Sequence, residues 1–320
     1  MILRAVALGL LCAASLVSAA DFPSKPVRLI LGFPPGGATD LVARAMQPRM
    51  SAGLGQQLVI DNRPGANGII SCELVARADP DGHTLLFGHI GSLVISPAIQ
   101  KVPYDPLKDF AAVGQSVQLQ NILITHPSLA ASTVKEFIAL AKAKPGQINY
   151  ASSGIGSPGH LAAVLFESMA KIQITHIPYK GGGPAITDLL AGQVPAFFAV
   201  ISTGVPHVQA GKVRGIAVTG SRRAEAVPDV PTLAESGVPG YAATNWYGLL
   251  APARTPVAVI NRINREMTAA LKAPEVAEAL KSRGIDAAPN SPAEFAAFIH
   301  AESAKWRPIV LQSGIKSDGG

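Results

Sequence analysis

The chain has 320 residues, 48% of them hydrophobic and only 15% charged, with a formal charge of +6. Arg222-Arg223 is the only adjacent basic pair, which excludes the clustered Lys and Arg footprint of a nucleic-acid binder. The two cysteines, Cys12 and Cys72, are too few for a disulfide scaffold.

The chain opens on Arg4, an apolar run from Ala5 to Val17 and the small residues Ser18-Ala19-Ala20. That pattern is a secretory signal peptide over residues 1–20, so an exported chain is expected. The run is too short to span a bilayer, and no later run is long and apolar enough. Cleavage leaves Cys72 without a partner in its own chain. About 300 mature residues predict two domains.

From Lys25 onward, strand and helix patterns alternate across short connections rich in glycine and proline. Val27–Gly32 reads as a strand, followed by a helix to Met50. Gln57–Asp61 is a strand, Gly68–Arg77 a helix and Thr84–Gly88 a strand. Val113–Gln118 and Asn121–Thr125 read as two further strands. The rhythm then restarts. Thr133–Lys144 is an amphipathic helix with Phe137, Leu140 and Ala141 on one face. Gln147–Ala151 is a strand, His160–Ala170 a helix and Thr175–Pro178 a strand. Gly181-Gly182-Gly183-Pro184 opens another helix, which Gly192 ends. Pro195–Ile201 and Arg214–Thr219 are strands around a helix near Pro206–Ala210. Trp246–Ala251 is strand-like. Thr255–Ala273, Pro274–Arg283 and Pro292–Ser313 are long helical patterns. Repeated βα units predict an α/β fold with a mainly parallel sheet, whose ligands bind beyond the carboxyl ends of strands. Placing the closing helices back on the first series gives two lobes. Their crossings fall near Asn121–Thr125 and Tyr241–Leu249.

Two glycine-rich loops lead from a strand into a helix. One is Phe33-Pro34-Pro35-Gly36-Gly37-Ala38-Thr39-Asp40, and the other runs from Ala151 through Ser152-Ser153-Gly154-Ile155-Gly156-Ser157-Pro158-Gly159 to His160. Unpaired backbone N–H groups at such helix starts, aligned with the helix dipole, form a ready anion site. Ser157 fits an N-cap and Pro158 fits N1. The second loop matches G-x-G-x-x-G, but no acidic residue ends the following strand, so a dinucleotide is not expected. Lys180 lacks the rest of a phosphate-loop motif and is read as lining the cleft. His160 is either a donor into the cleft or a structural histidine, with a helix N-terminus favouring its neutral ring. Trp246 and Tyr247 are either hinge packing or a stacking platform, and Trp246 stays among the candidates. Asp40 and Asp188 suit helix first turns and are read as structural. The histidines show no metal spacing, and no G-x-S-x-G elbow is present.

The matching stretches run almost the full length. They include Pro26-Val27-Arg28-Leu29-Ile30, the Phe33–Asp40 loop, Asn62-Arg63-Pro64-Gly65-Ala66 and Pro80-Asp81-Gly82. Further on come Asn149-Tyr150-Ala151-Ser152-Ser153-Gly154, Pro178-Tyr179-Lys180-Gly181, Pro228-Asp229-Val230-Pro231-Thr232 and Trp246-Tyr247-Gly248-Leu249-Leu250-Ala251-Pro252. On these residues the chain resembles the periplasmic receptors of tripartite tricarboxylate transporters, the Bug family. The resemblance implies a type II periplasmic binding-protein fold, with a cleft between two lobes joined by two crossover segments. Lobe 1 would hold residues 21–121 plus 245–320, and lobe 2 residues 122–244. It implies a small carboxylate as ligand, membrane permease subunits as partners, a monomer in the periplasm and no cofactor.

Carried over by motif, the ligand would meet Phe33, Gly36, Gly37, Ala38 and Thr39 on one side. On the other it would meet Ser152, Ser153, Gly156, Ser157 and His160. Three departures from the family pattern stand out. Ala199-Val200 replaces an Asp or Asn, which tilts the ligand toward a mono- or aromatic carboxylate. Asn67 stands where glycine is usual, and His83 where tyrosine is usual. His89-Ile90-Gly91-Ser92 is also unlike the common sequence; the stretch is placed on the cleft rim, where it would set specificity, with Gly91 and Ser92 among the candidates. An exported sensor for a membrane signalling partner would need the same clamp. An exported hydrolase would need a nucleophile motif that is missing.

Overall fold

The computed structural model of the chain describes residues 22–312. The proposed signal peptide, residues 1–20, lies outside the described residues. In the first half, β1 (Val27–Leu31) feeds α1 (Ala38–Leu54) and β2 (Leu58–Asn62) feeds α2 (Ile69–Ala76). β3 (Thr84–His89) passes through a π-helical turn, Gly91–Ile95, into α3 (Ser96–Ile99). β4 (Phe110–Thr125) leads to α4 (Val134–Ala143), β5 (Asn149–Ser152) to α5 (Pro158–Ala170), and β6 (Thr175–Pro178) to α6 (Gly182–Leu190). β7 (Ala196–Val200) runs directly into α7 (Ile201–Gln209), and β8 (Arg214–Val218) follows. β9 (Thr244–Pro252), α8 (Val257–Lys272), α9 (Pro274–Lys281), β10 (Ile285–Ala287) and α10 (Pro292–Gln312) close the fold.

Local physics accounts for these elements. Leu29, Ile30 and Leu31 of β1 are buried on both faces, as a strand covered by helices on each side requires. Val42, Ala43, Met46, Met50 and Leu54 recur at helical spacing and form the buried face of α1. Gly55 then ends that helix in the left-handed conformation, φ 75°. Gly159 lets α5 approach the sheet, since a methyl there would sit 2.1 Å from the Phe198 carbonyl oxygen.

Two sheets result. In the first, β2, β1 and β3 pair in parallel, β3 pairs antiparallel with β9, and β9 with the first part of β4. In the second, β4 from Asn121 onward pairs with β7 and β8, and β7, β5 and β6 are parallel. The expected parallel sheet therefore holds for the flanks only. The shared strands are antiparallel because one carries the chain out of the first sheet and the other brings it back.

The reading of Val113–Gln118 and Asn121–Thr125 as separate strands is corrected. They form one 16-residue strand that changes partners after Gln120. The polar stretch between them suggested a break, but its hydrogen bonds are spent across the crossover. Gln120 Oε1 accepts from the Gly220 N–H at 2.7 Å. Thr219, fully buried, ties the two crossing strands together. Its Oγ1 accepts from the Asn121 N–H at 2.8 Å and donates to the Ala243 carbonyl at 2.7 Å. Its backbone N–H donates to the Asn121 carbonyl, and its carbonyl accepts from the Ala243 N–H. Behind the crossover, Arg222 pairs with Asp286 and Lys281 with Glu225, both well exposed and so worth little each.

Replacing Thr219 by the isosteric valine removes the hydroxyl shared by both crossing strands. We expect Thr219→Val to lower the unfolding free energy by about 1–3 kcal/mol, the range for orphaned buried polar groups. Urea unfolding measures this, and an unchanged midpoint would show that the clasp carries no stability.

Candidate functional site

A chamber lies where the carboxyl ends of β1, β3, β5 and β7 meet. From the first sheet come the β1–α1 loop with Phe33, Pro34, Gly37, Ala38 and Thr39, then His89 at the end of β3, and Tyr247 on β9. From the second come Ser153, Pro158 and the Gly181–Pro184 stretch, then Val200 and Thr203. Phe33, Pro34, Ser153 and Gly181 also border a second, outer space toward Asn67 and Lys180.

Three helices begin on this wall without a side-chain cap: α1 after Gly37, α6 after Gly181 and α7 after Val200. Their first-turn N–H groups lack helical partners and carry the positive end of each dipole. Thr39 adds a side-chain donor. It is buried, and its Oγ1 makes no hydrogen bond within the chain. Asp40 does not cancel the α1 terminus. Burial opposes its charge, but Arg44, the Gly36 N–H and Asn62 together hold its carboxyl below the usual range. Arg44 Nε lies 2.8 Å from Asp40 Oδ2 and neutralises it.

The structure sorts the sequence candidates. Phe33, Gly37, Ala38, Thr39 and Ser153 come together on the chamber wall. Gly36 does not, because its N–H is donated to Asp40 Oδ2 at 3.0 Å. Ser152 is fully buried behind the wall. Its Oγ donates to the Gly154 carbonyl, accepts from the Gly154 N–H, and lies 2.6 Å from His176 Nε2. Gly156 donates to His160 Nδ1 at 3.1 Å, and Ser157 Oγ accepts from the His160 N–H as the expected N-cap. The His160 Nδ1 is thus engaged within its own loop, and its ring stacks 3.9 Å from that of His176. Gly91 and Ser92 lie in the buried π-helical turn rather than on a rim. The Gly91 N–H donates to His89 Nδ1, and Ser92 Oγ donates to the His89 carbonyl. Trp246 is buried off the chamber, donating to Glu302 and packed edge-on against Phe295 and Phe298. Lys180 is exposed and borders only the outer space.

Of the chamber residues, the sequence places His89 on the cleft rim and weighs Tyr247 as hinge packing or platform, but Thr203 and the glycines of α6 were missed. For the glycines a signal existed, since Gly181-Gly182-Gly183 was read as a helix start. Asn67, at the usual glycine position, takes φ 51°, which asparagine tolerates better than most residues. Asp188 is structural as expected, accepting from the Tyr179 hydroxyl at 2.8 Å. Among the described residues, no group of His, Cys, Asp and Glu is placed to hold a metal.

Two buried histidines, His89 and His160, and the half-buried His176 frame the site in neutral form. Burial pushes His89 down to about 3, with the Asn67 carbonyl opposing. Burial, then the neighbouring His176, pushes His160 down to about 3, and burial takes His176 to about 4. All three folded values lie below the unfolded value near ~6.5, so the unfolded chain binds more protons as pH falls through that value. Stability therefore drops from pH 6.5 toward 4, with each histidine adding a slope of up to about 1.4 kcal/mol per pH unit. Urea midpoints at pH 7.5, 6 and 5 measure this, and a flat profile would contradict the buried neutral rings. Ser157→Ala removes only a helix cap. It should cost about 1 kcal/mol of stability and change ligand affinity less than about twofold. A large affinity loss at full stability would return Ser157 to the binding surface.

Residues 42–315 match the family model described as the tripartite tricarboxylate transporter family receptor. The protein BugT of Bordetella pertussis is 35% identical over 94% of this chain and 93% of its own. A solved structure described as a periplasmic transporter is 39% identical, with a TM-score of 0.89 over 92% of this chain and 99% of its own. A Rhodopseudomonas palustris protein solved with adipate is 34% identical, with a TM-score of 0.89 over 92% and 99% of the two chains. MatC of the same organism, solved with bound malate, is 33% identical, with a TM-score of 0.86 over 90% and 100%. With the fold, the chamber and this agreement along its length, the chain belongs to the tripartite tricarboxylate transporter receptor family of periplasmic solute-binding proteins, which includes the Bug proteins.

Proposed function

We propose that the chain is exported by cleavage after residue 20 and works as a monomeric receptor for a small carboxylate. Lobe 1, residues 21–121 plus 245–320, closes on lobe 2, residues 122–244, and the closed form hands its ligand to the membrane subunits of a tripartite tricarboxylate-type permease. The observation that carries this reading is the convergence of three uncapped helix starts on one chamber beside the unpartnered hydroxyl of Thr39. Donors so placed suit a carboxylate, and charge-assisted hydrogen bonds are the stronger class. The adipate and malate held by the two R. palustris relatives support the ligand class.

Closure has a physical basis in the same groups. α1 belongs to one lobe, and α6 and α7 to the other, so an anion engages all of them only when the lobes are together. That differential contact is what shifts the population. The lobes already approach closely. A methyl placed on Gly181 would lie 3.3 Å from Pro34 Cδ, and one on Gly156 would lie 3.2 Å from Asn67 Nδ2. The ligand leaves unchanged, since no nucleophile faces the chamber among the described residues except the hydroxyls of Thr39, Ser153, Thr203 and Tyr247, and none of these has a base as its hydrogen-bond partner.

A thermal-shift screen of residues 21–320 against carboxylic acids and their amides tests the reading. Acids of the right shape raise the midpoint by mass action and the matching amides do not. Thr39→Val should weaken the best acid about tenfold, near 1.4 kcal/mol, by titration calorimetry. No rise with any acid in folded, ligand-free protein would sink the carboxylate assignment, and so would unaltered affinity in the variant.

A further inference from the structure

The chamber holds positive potential sufficient for one charge and no charged side chain to pair with a second. Among the described residues, no Asp, Glu, Lys or Arg lines it. His89 is buried and neutral, accepting from the Gly91 N–H at Nδ1, so its unpartnered Nε2 offers a neutral donor and no charge. The positive potential therefore comes from the starts of α1, α6 and α7. At roughly half a charge each, they sum to about +1.5, enough to balance a single carboxylate. A second carboxylate in the same chamber would be buried unpaired, and a buried ion without a partner costs several kcal/mol. An ammonium group fares worse, because it would face the positive ends of three helices with no acid to meet it.

The rest of the wall is apolar. Val200 occupies the N-cap of α7, a position where Ser, Thr, Asp or Asn is strongly preferred. Valine there costs the helix a cap, and it sets a hydrocarbon surface on the wall where a polar side chain is preferred. Phe33, His89 and Tyr247 form a run of rings on the other side, with centroids 5.0 Å apart for Phe33–His89 and 6.4 Å for His89–Tyr247. Pro158 adds a further apolar face.

We infer that the chamber selects a monocarboxylate with an uncharged, apolar, ring-sized body over dicarboxylates and amino acids. This rests on the carboxylate reading above and narrows it. Titration calorimetry of the mature protein with benzoate, cyclohexanecarboxylate, benzamide, terephthalate, adipate and phenylalanine separates the two. Benzoate or cyclohexanecarboxylate should bind at least tenfold more tightly than terephthalate, adipate and phenylalanine, and benzamide should not bind. Adipate or terephthalate binding as well as or better than both ring monoacids would overturn the inference and leave the carboxylate reading standing. Binding of none of the acids would remove both. Val200→Asp, which restores a polar cap and sets a carboxylate on the wall, should weaken the preferred monoacid at least tenfold. Unchanged affinity in that variant would overturn the role of this wall. A misfolded variant leaves the wild-type comparison to decide.

Discussion

A backbone N–H cannot be buried without a partner, and this constraint organises the molecule. Where a helix starts, three or four such groups point along the axis with no carbonyl behind them. At α4 and α5 the problem is solved internally: Thr133 caps α4 through the Glu136 N–H, and Ser157 caps α5 through the His160 N–H. At α1, α6 and α7 it is left open, with Gly37, Gly181 and Val200 at the caps. These three helices share a chamber, so the unmet demand of all three is concentrated in one place. Water or an anion must satisfy it, and an anion satisfies the dipoles as well.

The scaffold that holds those helices apart and brings them together is the pair β4 and β9. A strand of 16 residues crosses from one sheet to the other and exchanges all its partners over a short interval after Gln120. Thr219 sits in that interval and is bonded to both crossing strands by side chain and backbone. The two sheets are therefore joined at a hydrogen-bonded seam rather than by a loose linker.

Most of the fold was readable from alternation alone, since strands and helices of ordinary length were separated by glycine and proline turns. What was missed has specific causes. Gln118 to Asn121 looked like a break because polar side chains normally end a buried strand. Here the Gln120 side chain and the Asn121 N–H find partners in Gly220 and Thr219, just past the end of β8 and about a hundred residues away. The site was half legible. The loop from Phe33 to Thr39 was recognised, and Phe33, Gly37, Ala38 and Thr39 do line the chamber. In the second lobe the richest glycine and serine stretch attracted attention, but Ser152, Gly156 and Ser157 are bonded within their own loop. Sequence displays the presence of a donor and hides whether it is already used. The plainer Gly181-Gly182-Gly183 start, with no capping side chain, keeps its donors available for that reason.

Glu302 has an implication of its own. Its Oε2 accepts from the indole N–H groups of both Trp246 and Trp306, at 3.3 and 3.1 Å. These are the two tryptophans of the chain, so its indole emission arises from a single buried spot shared by β9 and α10. Trp246 is the neighbour in sequence of Tyr247, which lines the chamber. The protein thus carries a built-in optical probe, anchored to one carboxylate and set a single residue from the ligand wall.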